Sequence, residues 1–115
     1  MAVFHEKKKQ IRENKETGNV IIEHIVDEEL FQGQSPMFAQ VTLKPGCALG
    51  YHQHKGNNET YYILSGKGIY TDNGEEVPVV AGDVTFCYDG GFHGLKNTES
   101  SDLVFMALII NTPKQ

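Results

Sequence analysis

Short apolar runs punctuated by Gly, Pro, Asn and Asp set the rhythm of this chain. Residues 20–26, VIIEHIV, are rich in β-branched side chains, which pack well on a pleated surface and predict a strand. Residues 38–43 predict a second, stopped by Lys44-Pro45-Gly46, where proline removes a backbone donor and glycine permits the turn. Extended segments follow at 48–54 and 59–65, joined by Lys55-Gly56-Asn57-Asn58. After Gly66-Lys67-Gly68, the stretch Ile69-Tyr70-Thr71 runs into Asp72-Asn73-Gly74 and a returning strand at 75–80. An Asn-Gly pair between short strands predicts a type I′ hairpin, whose two central residues both need positive φ. Strands at 84–88, around 92–96 and at 103–110 complete the pattern.

Residues 5–19 are polar and predict an arm or a weakly held edge strand, so the chain divides into an N-terminal segment, 1–19, and one domain, 20–115. Asp27-Glu28-Glu29-Leu30-Phe31 can form one short helical turn, because acidic residues suit a helix start, and Gly33 and Pro36 stop anything longer. Strands spaced by 8 to 12 residues with turn residues between them describe an all-β antiparallel sandwich or small barrel. Its last strand is apolar on both faces, which a solvent-facing sheet does not tolerate, and a homodimer interface would cover the second face. His24 alternates with Ile22 and Val26 and reads as a packed structural histidine.

A chain of 115 residues is one domain in size. The net charge of −5 and the scatter of basic residues exclude a nucleic-acid footprint, and Lys7-Lys8-Lys9 with Arg12 reads as a solvated run. No apolar stretch reaches signal-peptide or membrane-span length, which leads to the expectation of a cytoplasmic protein with no membrane partner. Cys47 and Cys87 are too few for a disulfide framework and too far apart for a CxxC motif, so both are expected as reduced thiols.

Candidate chemistry concentrates at His52-Gln53-His54. Side chains alternate along a strand, so the two imidazoles share a face, and the Asn/Gly turn that follows can return Glu59 beside them. Read with spacings, Gly46, His52-x-His54, Glu59 and Gly66 form one motif, and Gly82, Tyr88-x-Gly90, His93 and Asn97 form another. Together they resemble the cupin superfamily, with its motifs G(X)5HXH(X)3-4E(X)6G and G(X)5PXG(X)2H(X)3N. Every fixed position of the first is filled; in the second, Tyr88 stands where the family has proline.

The resemblance implies a cupin jelly-roll β-barrel in which His52, His54, Glu59 and His93 point inward and bind one divalent transition-metal ion: iron, manganese, nickel, copper or zinc. Three imidazoles and one carboxylate are an intermediate donor set that suits these ions. In a six-coordinate ion two positions stay open for a ligand or substrate, whereas tetrahedral zinc would be closed. Tyr61 and Ile63 share parity with Glu59, and Leu95 lies beside His93, so all three are expected to line the cavity; Gln40 is expected as an inward polar group. Tyr88 and Tyr61 are the candidate catalytic phenols, because the motif histidines are taken up as ligands. Two functions follow for a small-molecule partner. One is a metal-dependent enzyme, first a dioxygenase-like oxidoreductase and otherwise an isomerase, lyase or decarboxylase. The other is a non-catalytic binding or sensing module built on the same metal site.

Overall fold

A computed structural model describes residues 3–113; the outermost ends of the two expected segments, 1–2 and 114–115, lie outside the described residues. Ten strands run in chain order: β1 (Lys8–Arg12), β2 (Val20–His24), β3 (Met37–Leu43), β4 (Ala48–Gln53), β5 (Asn57–Ser65), β6 (Lys67–Asp72), β7 (Glu75–Val80), β8 (Val84–Cys87), β9 (Phe92–Lys96) and β10 (Leu103–Asn111). A single 3₁₀ turn, Glu28–Phe31, is the helical content among the described residues. The strands form two antiparallel sheets, one ordered β1-β2-β3-β10-β5-β8 and the other β4-β9-β6-β7. This is an all-β jelly-roll barrel.

Alternation along the strands decides what faces the interior. Ala39, Val41 and Leu43 of β3, Leu103, Phe105 and Ala107 of β10, and Tyr61 and Ile63 of β5 are all buried and meet Tyr70, Val79 and Leu95 from the smaller sheet. The hairpin at Asn73-Gly74 has φ of 46° and 89°, the pair of left-handed residues that a type I′ turn requires. Gly66 is held at φ 90°, and a Cβ there would stand 2.5 Å from the Asp102 carbonyl oxygen, so β5 can turn into β6 only through glycine.

The outer side of the larger sheet carries the opposite parity. Val104, Met106 and Leu108 of β10 are half-buried there, and Tyr62, Leu64, Val84, Phe86 and Ile110 are exposed beside them. Strand β10 is central in its sheet and apolar on both faces, and among the described residues only its inner face is covered.

Candidate metal centre

Local strand geometry assembles the cluster. His52 on β4 is the register partner of His93 on β9, so the two imidazoles project side by side from the smaller sheet. His54 follows the end of β4, where its backbone N–H donates to the Gly91 carbonyl at 3.0 Å and its own carbonyl accepts from Gly90 N–H at 2.7 Å. Glu59 comes from β5 in the opposite sheet, between Ile109 of β10 and Cys87 of β8 in register. Four residues from two sheets thus converge, with one ligand-type atom of each lying within 4.8 Å of the others.

Their immediate spacings are tighter. His54 Nε2 and His93 Nε2 are 3.0 Å apart, each is 3.0 Å from Glu59 Oε1, and His52 Nε2 is 3.2 Å from His54 Nε2. Burial is nearly complete: His93 is 0% exposed, Glu59 3% and His54 7%. A metal–ligand bond of about 2.1 Å puts neighbours at right angles about 3.0 Å apart and tetrahedral neighbours about 3.4 Å apart. The observed edges match the right-angled arrangement, which leaves room for further ligands.

The far side of each imidazole is also held. Nδ1 of His52 lies 2.7 Å from the Gly50 carbonyl oxygen, Nδ1 of His54 lies 2.6 Å from Asn57 Oδ1, and Nδ1 of His93 lies 2.9 Å from the Tyr70 hydroxyl. With the three Nδ1–H groups donating outward, all three Nε2 lone pairs face the centre, the tautomer a ligating histidine needs. Those lone pairs repel one another at 3 Å, and a central cation turns the repulsion into attraction. Burial, aided by His93 and His54, lowers the His52 pKa and favours the neutral form that can ligate. The four residues therefore fit a divalent metal ion.

Tyr61 sits at this floor. Its ring stacks on His93 at 4.9 Å, its hydroxyl is 3.4 Å from His93 Nε2, and burial followed by the Glu59 charge pushes its pKa well above the ordinary phenol value. A cavity of about 220 Å³ opens above the cluster, walled by Val20, Ile22, Met37, Val41, Leu49 and Ile109. Ile63 and Leu95, expected to line the cavity, lie in the packed core and are not part of its wall.

Two expected positions fall elsewhere. Gln40 has the parity of Phe38 and Thr42 and projects from the outer side of β3, because Ala39 and Val41 take the inner side. Tyr88 is 72% exposed and packs edge-on against Phe86, since Thr85 and Cys87 occupy the inward positions of that strand. Both cysteines are free; Cys87 is buried opposite Glu59, and Cys47 packs against Gly18. His24 is half-buried, hydrogen-bonds Gln10 at 3.1 Å and stands apart from the cluster. Asn57 and Tyr70 line the site without having been singled out as site residues in the sequence, and Arg12, read there as part of a solvated run, lines the cavity. Asn57 had a signal, an amide three residues after His54 in a tight turn; Tyr70 and Arg12 are brought in by sheet pairing alone.

The fold and the site define a two-sheet β-barrel protein with an inward His/Glu cluster at one end that could hold a metal ion. The cupin-domain family model Cupin_2 matches residues 39–109, and the chain belongs to the cupin family. An oxalate-binding protein of Thermotoga maritima is 43% identical over 93 residues, which is 81% of this chain and 77% of that one. The crystal structure of a predicted oxalate decarboxylase from Thermotoga maritima superposes with a TM-score of 0.84 at 37% identity, covering 93% of each chain. The cupin domain of Schizosaccharomyces pombe Cnp3 shares the fold alone, with a TM-score of 0.73 at 13% identity over 95% of this chain and 90% of that one. Among the described residues no helix is long and apolar enough to cross a membrane.

Proposed function

We propose that this protein binds a small carboxylic acid, oxalate being the first to test, at a divalent transition-metal ion held by His52, His54, Glu59 and His93. The observation that carries the reading is the convergence of three Nε2 atoms and one carboxylate oxygen with every Nδ1 turned to an outer partner. A bound ion supplies positive charge for an anionic ligand at the positions the four side chains leave open. Tyr61 adds a neutral O–H at the same floor. The relatives named for oxalate support the ligand class.

Binding is favoured over turnover by what lines the cavity. Outside the four-residue cluster its titratable groups are Arg12, a guanidinium with donors only, and Tyr61, whose pKa burial raises well above the ordinary phenol value. Neither can serve as a resident general base. Metal analysis of untagged protein, followed by calorimetric titration with manganese(II) and then oxalate, tests the reading. Saturable metal binding that His54→Ala abolishes, and oxalate binding only to the loaded protein, are expected. Protein that refuses metal when offered refutes it. Oxygen uptake and carbon dioxide release in the same samples test the oxygen-activating oxidoreductase and the decarboxylase.

The reading extends to assembly as a homodimer. The outer faces of β3, β10, β5 and β8 present no charged side chain, so two copies can pair there without like-charge contact despite a net charge of −5. A clean monomer on sizing at low micromolar concentration would sink this. The free thiols support a reducing, cytoplasmic compartment.

A further inference from the structure

Among the described residues, Arg12 is the one cation lining the cavity above the cluster. It sits on edge strand β1 as the register partner of Val20, whose side chain is part of the cavity wall, so the ladder places Arg12 on the same face as Val20 and Ile22. Among the described residues no carboxylate lies within ion-pairing distance of its guanidinium, and no protein group hydrogen-bonds it. Lys44, by contrast, is paired with Asp102 at 2.9 Å. An unpaired guanidinium at the rim of a cavity with an anion-binding floor is a second, separate anchor for negative charge.

The wall between the two anchors is apolar. Val20, Ile22, Met37, Val41, Leu49 and Ile109 offer nothing to hydrogen-bond, and Ala107 completes the lining. The cavity, about 220 Å³, is several times the roughly 30 Å³ that one water occupies in the liquid. A two-carbon diacid is polar over its whole length and leaves such a wall in contact with water. A longer acid with methylene groups in its middle covers it.

We propose that Arg12 selects the ligand: a dicarboxylic acid with an apolar middle, one carboxylate at the His/Glu cluster and the other on the Arg12 guanidinium. This rests on the reading that the cluster holds a metal ion and takes a carboxylate there. Arg12 is a specificity residue with no part in holding the metal, and bidentate pairing makes it better suited than lysine.

The test uses the full chain loaded with manganese(II), loading being checked first by calorimetry and electron paramagnetic resonance. Straight-chain α,ω-dicarboxylic acids of two to six carbons and their monomethyl esters are then titrated into wild type, Arg12→Gln and Arg12→Lys. Affinity is expected to peak at an intermediate chain length and to fall about 10- to 100-fold on esterification. Arg12→Gln should weaken the diacid by the same factor and leave the half-ester unchanged, with Arg12→Lys between. A tightest ligand of two carbons, or equal diacid affinity in wild type and Arg12→Gln, overturns the proposal while the metal site stands. Failure of manganese(II) to load defeats the underlying reading as well, and the preliminary calorimetry separates the two failures.

Discussion

Replacing Tyr70 by phenylalanine deletes one oxygen, the partner of His93 Nδ1 at 2.9 Å. His93 is 0% exposed, so its N–H must find another acceptor inside the barrel. Glu59 Oε1 is 3.0 Å from the opposite ring nitrogen. The metal-free variant therefore moves the ring proton to Nε2, where it donates to Glu59, and the fold loses little. Metal binding must undo that tautomer and leave Nδ1–H without an acceptor, which costs about 1–3 kcal/mol for a buried donor. The expected outcome is divalent-metal affinity weakened by about 10- to 100-fold, the range seen when outer partners of ligating histidines are removed. Competition against a chromophoric chelator at neutral pH measures it, with the metal-free melting temperature as control. Tyr62→Phe, on the outer side of β5, should leave both unchanged. A Tyr70→Phe affinity within twofold of wild type would refute the tautomer argument.

Other consequences concern the scaffold. Phe105 is 0% exposed and packs on Tyr61 at 4.7 Å, so Phe105→Ala should cost about 3–5 kcal/mol in urea unfolding. Gly66→Ala drives a Cβ into backbone at Asp102 and Leu103 at positive φ, and more than about 2 kcal/mol of destabilisation is expected by the same measure. The Thr112 hydroxyl at 2.7 Å and the Gly56 N–H at 2.8 Å hold the Asp89 carboxyl below its ordinary pKa. Its folded value is the lower one, so its contribution is present above the unfolded value of 3.8 and is lost as pH falls through the folded value. Urea melts of wild type and Asp89→Asn should differ at neutral pH and converge in strong acid; a gap that persists there counts against this reading.

The all-β fold was legible because each strand is short, apolar by alternation and bounded by a residue with a specific turn duty. Asn73-Gly74 is the clearest case, since its composition dictates the backbone angles found. The His52, His54 and Glu59 grouping was equally open to reading, being local, and the second motif pointed to His93. Chemical character and motif position, taken without alternation, misled at Gln40 and Tyr88. Gln40 shares parity with Thr42 and opposes Ala39, Val41 and Leu43, so alternation along β3 already assigned it to the outer side. For Tyr88, motif position suggested the barrel mouth, but alternation from Thr85 and Cys87 turns it outward. Arg12 and Tyr70 reach the site through cross-strand register, which depends on which strands become neighbours.

Three of the four converging residues lie within eight positions of one another, on either side of a single turn. That proximity means an unfolded chain can already chelate an ion through His52, His54 and Glu59, closing only a small loop to do so. Whatever affinity the unfolded ensemble keeps subtracts from the stabilisation that metal gives the native barrel. Thermal protection by metal should then fall short of what the native dissociation constant predicts. The same early chelate would already tie β4 of the smaller sheet to β5 of the larger through Glu59, and a bound ion would later, through His93, fasten β9 beside β4.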